Sequence, residues 1–176
     1  TKIAPKAVTA DKLGAAAVTS AKIALGAVTA DKVAFYNHVI VVAPSGGNFT
    51  SPVAALNSIT DASETNPYLV KIMPGVYDIG GGTVQMKPFV SIEGSGAGAT
   101  QILGTQNTCD ENPAVSGDWR PRYGVVTGSS NASLRSLSVR NNGASTVNCA
   151  VVAILASDCD GMGISDVGAQ ARGTNI

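Results

Sequence analysis

The chain has 176 residues, and its twelve basic side chains balance twelve acidic ones, so nothing implies a nucleic-acid partner or an anionic membrane surface. Apolar residues make up 44%, aromatics only 5% and charges 14%, with 20 glycines, which suits a repetitive β structure with tight turns and argues against a helical bundle. No apolar run reaches the roughly 18 residues of a membrane-spanning helix, and the length fits one domain plus an appendage.

Residues 1–34 repeat with a period of ten. Ala7-Val8-Thr9, Ala17-Val18-Thr19 and Ala27-Val28-Thr29 recur, followed by Lys12, Lys22 and Lys32 and then by Leu13, Ile23 and Val33. So short a period marks a quasi-one-dimensional element in which each unit touches only its neighbours. Two apolar side chains per unit cannot enclose a core within one chain. Val8, Leu13, Val18, Ile23, Val28 and Val33 are therefore expected to meet around an axis shared by several chains, a trimer being the favoured homo-oligomer. Thr9, Thr19 and Thr29 stand where each can cap a single helical turn. Such decapeptides resemble the stalks of trimeric phage tail fibres and bacterial surface fibres. The alternative is an Ala-rich linker, which strict phasing and the lack of Gly/Ser enrichment disfavour.

Phe35 to Pro44 reads as a strand, and Val39-Ile40-Val41-Val42 is apolar enough to be buried on both sides. Ser45 to Asn48 turns the chain. Ser51-Pro52 then opens a helix over 51–62, with a capping serine and a proline at the first helical position. Val53, Leu56 and Ile59 space at three, so one face is apolar.

From Tyr68 to Gly104 the chain breaks into short apolar runs: Leu69 to Ile72, Val84 to Met86, Val90 to Ile92 and Gln101 to Leu103. Alternating runs separated by Gly, Pro or Asn read as strands, and the gaps are too short for the helical crossovers of a doubly wound sheet. The words KIMPGVYDIGGGTVQMKPFVSIEGSGAGATQI resemble the opening turns of the pectin-lyase-like family, where a PGxY turn, an MKPxVxIxGxG segment and a T.I.G strand follow in this order. The resemblance implies a mainly β fold, a right-handed parallel β-helix with coils of about 20–30 residues. It also implies that the 51–62 helix plugs the N-terminal end of the coil, hiding apolar interior and an open strand edge.

Residues 105–123 break the pattern: polar, with two prolines and the single Trp. Loops of this length are usually functional or disordered. Trp119 can stack on a sugar face, and Arg120 and Arg122 can meet anionic groups. The β pattern then returns, and residues 127–143 align with 157–173 at an offset of 30. Leu134 meets Ile164, Leu137 meets Val167 and Val139 meets Ala169, so these should be interior columns of successive coils. The chain begins within a repeat and stops at Ile176 where another strand should start, so residues 35–176 are expected to be the first coils of a longer β-helix.

Cys109, Cys149 and Cys159 are too few for a disulfide scaffold and lack zinc spacing. They read as half-buried thiols, or as one disulfide that involves Cys109 in the long loop. His38, the single histidine, stands at the junction before the first strand, so no Ser-His-Asp or Cys-His arrangement can be assembled. Asp158, Asp160 and Asp166 form the one carboxylate cluster of the β region, a weak calcium candidate at positions where Asp is an ordinary turn residue. No other metal or cofactor is implied. The Gly80–Gly82 and Gly94–Gly98 stretches are turns, because no Lys and no helix follow them.

The resemblance brings polysaccharide lyases, hydrolases and esterases into view. The last of these need an Asp nucleophile with a second Asp and an Arg on one strand face. No such set is evident in these residues. The sequence is therefore read as a non-enzymatic component of an extracellular fibre, spike or adhesin that contacts a cell-surface glycan. The first alternative is a polysaccharide-active enzyme whose catalytic turns lie outside the segment, and the second is a self-assembling filament subunit.

Overall fold

The computed structural model describes residue 19 and residues 38–109, 123–145, 149–172 and 174–175, with 108, 109, 145, 149, 174 and 175 described by their backbone alone. The decapeptide positions Val8, Leu13, Val18, Ile23, Val28 and Val33 lie outside the described residues, as do Trp119, Arg120 and Arg122.

The elements follow one another in the order β1 His38–Val42, α1 Pro52–Ser58, β2 Tyr68–Ile72, β3 Gly75–Asp78, β4 Val84–Gln85, β5 Val90–Glu93, β6 Thr100–Gly104 and β7 Thr108–Cys109. They continue with β8 Val126–Thr127, β9 Ser133–Asn141, β10 Ala144–Ser145, β11 Cys149–Ala150, β12 Ile154–Leu155, β13 Gly163–Ala171 and β14 Thr174–Asn175. The chain coils, and three faces result. On the first, β1, β2, β5 and the first half of β9 stack in parallel, with the first half of β13 beyond. On the second, β3, β6 and the second half of β9 do the same, again followed by β13. The third holds β4, β8 and β12. This is the right-handed parallel β-helix that the sequence words imply.

Coil length is set by what is inserted. Ser91 faces Ser133 across 42 residues, because the irregular stretch lies between them, whereas Lys71 reaches Glu93 across 22. The later coils keep the offset of 30 read from the sequence: Leu134 faces Ile164, Leu137 faces Val167 and Val139 faces Ala169. Period-two strands send every second side chain inward, so stacked coils place like beside like. One column runs Ile40, Val70, Ile92, Leu134, Ile164; a second runs Tyr77, Ile102, Val139, Ala169; a third runs Val84, Val126, Ile154. The middle members are fully buried.

The nine-residue β9 turns a corner without breaking. Ser136 takes a left-handed conformation (φ 54°), and Asp166 repeats it one coil later (φ 51°). At this corner Gly94 passes so close to the Ser136 carbonyl that a Cβ would collide with it and come within 2.6 Å of the Leu137 Cβ. Only glycine fits. A second left-handed column forms two residues before the paired Ser91, Ser133 and Gly163: Phe89 (φ 59°), Asn131 (φ 53°) and Gly161 (φ 68°).

Three local expectations need correction. The helix stops at Ser58, not 62, because Ile59 is already extended (φ −83°, ψ 119°), and Ser51 makes no side-chain cap. The Ile59 carbonyl is taken instead by the Lys87 ammonium. Of the expected apolar face, Leu56 and Ile59 are buried and Val53 packs partly buried against the core, with Pro52 and Ala55 buried beside them. Secondly, β1 is not buried on both sides: among the described strands it pairs with β2 alone, and Val39 is 39% exposed. Thirdly, the PGxY words are not only a turn. Gly75–Asp78 is strand β3, and the Tyr77 hydroxyl donates to the Met73 and Val42 carbonyls at 2.9 and 3.3 Å. Ile164 and Val167 occupy the expected columns, but Ile164 is 48% exposed because, among the described residues, β13 pairs with β9 alone.

Candidate functional site

The outer side of the second face carries two rows of side chains. Val76, Gln101, Ser138 and Gly168 make one, and Asp78, Leu103, Arg140 and Gln170 the other. Neighbouring parallel strands lie about 4.8 Å apart, so each row is a ladder of evenly spaced groups. The turn Ala97-Gly98-Ala99 forms a wall, and an open cleft of about 440 Å³ lies along the face. Val76, 64% exposed, joins it to a second hollow of about 250 Å³ lined by Pro44, Pro52 and Asp78.

Arg140 is the charged side chain that lines the larger cleft. Its Nε is buried and has no hydrogen-bond partner. A buried donor without a partner costs on the order of 1–3 kcal/mol. The surroundings thus favour any ligand that brings an acceptor. The Ser138 hydroxyl donates to the Thr100 carbonyl at 3.3 Å, which keeps its oxygen available as an acceptor. Asp78 is the one carboxylate in the two rows, and its Oδ1 accepts from the Gly80 N–H at 2.8 Å.

On the first face Glu93 accepts from Lys71 at 2.7 Å and from Arg135 at 2.7 Å. The Lys71 hydrogen bond, with that of Arg135, outweighs partial burial and holds the Glu93 carboxyl below its ordinary value. This is a ladder of alternating charge across three coils, an ordinary way of pairing outward groups. Tyr68 donates to Asp61 at 2.7 Å, which pushes its hydroxyl up, and the His38 ring stacks on it at 4.5 Å. His38, expected at a junction before the first strand, is instead the first residue of β1 and pairs with Tyr68.

Asp158, Asp160 and Asp166 do not make a metal site. Asp158 and Asp160 sit in the turn before β13, with Asp158 accepting from Ser157 at 3.0 Å and the Asp160 N–H donating to Ser130 at 3.2 Å. Asp166 stands at the β13 corner. Among the described residues no three His, Cys, Asp or Glu side chains converge on a point where a metal ion could be held. The residues that do share a cleft, Gln101, Ser138, Arg140 and Gln170, were not singled out in the sequence. The available signal was the 30-residue offset, which puts Arg140 and Gln170 at one outward position of successive coils.

No family model matches the chain, and no curated protein is similar to it in sequence. Solved structures are similar in fold. The pectin methylesterase PemA from Erwinia chrysanthemi superposes with a TM-score of 0.56 at 18% identity, over 78% of this chain and 46% of that one. A pectin methylesterase in complex with hexasaccharide VII gives 0.56 at 18%, over 77% and 45%. A mutant pectin methylesterase in complex with hexasaccharide IV gives 0.54 at 19%, over 75% and 42%. The fold is that of the pectin methylesterases. The chain spans less than half the length of each.

This likeness corrects two expectations. A fibre, spike or adhesin component was expected, and no enzymatic character, because no catalytic constellation was evident along the sequence. The structural neighbours are enzymes, pectin methylesterases, and they favour the polysaccharide-active alternative. Outward residues of a β-helix become neighbours only when coils stack, so the cleft that Arg140 lines has no local spacing to read in the sequence. Among the described residues no helix is long and apolar enough to cross a membrane.

Proposed function

We propose that the chain is part of a polysaccharide-active β-helix protein of the esterase type, acting outside the cell on an acidic polysaccharide, and that the cleft of the second face is its saccharide contact. The observation that carries this reading is Arg140. It is the charge lining the larger cleft, on the outer face of a fold shared with pectin methylesterases, and its Nε lacks a partner. A guanidinium presents a planar fork that matches a uronate carboxylate. Gln101 and Gln170 supply amide donors and acceptors to either side, and Ser138 an oxygen, for sugar hydroxyls. Val76 offers an apolar platform at the junction of the two hollows.

Ester hydrolysis needs more than grip. Asp78 and Arg140 share a row with Leu103 between them, and Asp78 is its sole carboxylate. We therefore assign to these coils the positioning of the polymer, with Arg140 as the principal anchor. Affinity electrophoresis through gels containing polygalacturonate tests this. The chain should be retarded, and Arg140→Ala should weaken retardation at least about tenfold, the worth of one charge-assisted bidentate contact, with a melting temperature that does not fall. Unretarded wild type, or Arg140→Ala retarded as wild type, overturns the reading.

A further inference from the structure

Three cysteines admit three pairings, and the backbone separates them. Strands β7 and β11 run antiparallel, with Cys149 directly opposite Cys109 and Ala150 opposite Thr108. Directly opposed residues of an antiparallel pair have Cα atoms about 5.5 or about 4.5 Å apart, depending on their place in the ladder. Both spacings fall in the roughly 4.4–6.8 Å range that a disulfide spans. Cys159 stands at another corner. It is a free thiol whose Sγ lies 3.1 Å from the Ser157 carbonyl, and a Cβ placed on Gly128 would meet it at 3.1 Å. A ladder of two residues per strand is too short to be held by its own hydrogen bonds. This one nevertheless carries the entry to the 110–122 stretch.

We propose that Cys109 and Cys149 form a disulfide that staples the root of that stretch to the coil bearing β12, leaving Cys159 as the free thiol. The step is thiol–disulfide exchange. One cysteine thiolate attacks a small-molecule disulfide such as oxidised glutathione, and one glutathione thiolate leaves. The second cysteine then attacks the mixed disulfide and expels the other. Two electrons pass to the glutathione disulfide, and two protons leave the cysteine thiols. The closed ring would run from residue 109 to residue 149 and hold Trp119, Arg120 and Arg122 in one covalent loop. Loop closure on this scale removes entropy from the unfolded chain.

Thiol counting and peptide mapping on the full chain test the proposal. Equilibrated with oxidised glutathione and then denatured, the chain should show one reactive thiol. Trypsin cuts at Arg122, Arg135 and Arg140, and a protease cutting before Asp158 separates Cys149 from Cys159. The digest should then contain a peptide pair linked through Cys109 and Cys149. Reduction should restore three thiols and lower the melting temperature by on the order of 10 °C. Cys149→Ser should leave two thiols and abolish the redox dependence of melting. Three thiols persisting in the oxidising buffer, or a linked peptide containing Cys159, overturns it.

Discussion

Glu93 shows how one side chain couples coil stacking to pH. Lys71 and Arg135 stabilise its ionised form in the folded state, so its folded pKa lies below the unfolded value of about 4.3. The stabilisation is therefore complete above that value and is lost as pH falls through the depressed folded pKa. Denaturant midpoints measured between about pH 6 and pH 3 should fall more steeply for wild type than for Glu93→Gln. Parallel curves would mean that the ladder contributes nothing net. Each pair is more than a quarter exposed and is screened accordingly. Asn141 illustrates a different use of a polar residue. It is fully buried, its amide donates to the Gln106 and Val152 carbonyls at 2.7 and 2.8 Å, and its Oδ1 accepts from the Gly143 N–H at 2.9 Å. One side chain thus satisfies a turn that would otherwise bury bare backbone.

At the scale of the element, β9 is the strand on which the others depend. It pairs with β5 by its first half and with β6 by its second, and with β13 along its length. Its inward Leu134, Leu137 and Val139 are buried between coils. Leu137→Ala should cost about 2–5 kcal/mol, since neighbours on both sides resist collapse into the void. Ile164→Ala, at the next coil of the same interior, should cost less than about 1 kcal/mol because the side chain is half exposed already. Urea titrations of the two variants check the ranking. Equal losses would mean that β13 is covered in solution by something that seals its inward face.

At the scale of the whole molecule, the β-helix is a one-dimensional stack in which each coil touches only its neighbours. Coils paired on both sides should open least often, and those paired on one side most often. Amide hydrogen exchange should therefore be slowest in β5 and the first half of β9, faster in β1, and fastest in β13. Uniform protection across all four would indicate a single cooperative unit. The same geometry explains the breadth of the cleft. Its outward rows extend with every coil, so on the proposed reading a long polymer would contact several coils at once, and Arg140→Ala would weaken the grip without removing the surface.

The sequence by itself determined the coil. Alternating runs too short for crossovers, the 30-residue offset of Leu134 with Ile164, and glycines at crowded corners left little else for the chain to do. Those signals are local or strictly periodic, and backbone sterics and period-two burial act at that range. Tertiary structure alone decided which outward residues became neighbours. Gln101 and Ser138 lie 37 positions apart in sequence, and the irregular 105–123 stretch between them hides their common register. Nothing in the words around Arg140 marks it out from Arg135, an outward residue five positions earlier. The left-handed bend at Ser136 turns Arg135 toward Glu93 on one face and leaves Arg140, around the corner, over an open cleft. A single backbone angle separates an outward arginine held in an ion pair from one that lines an open cleft.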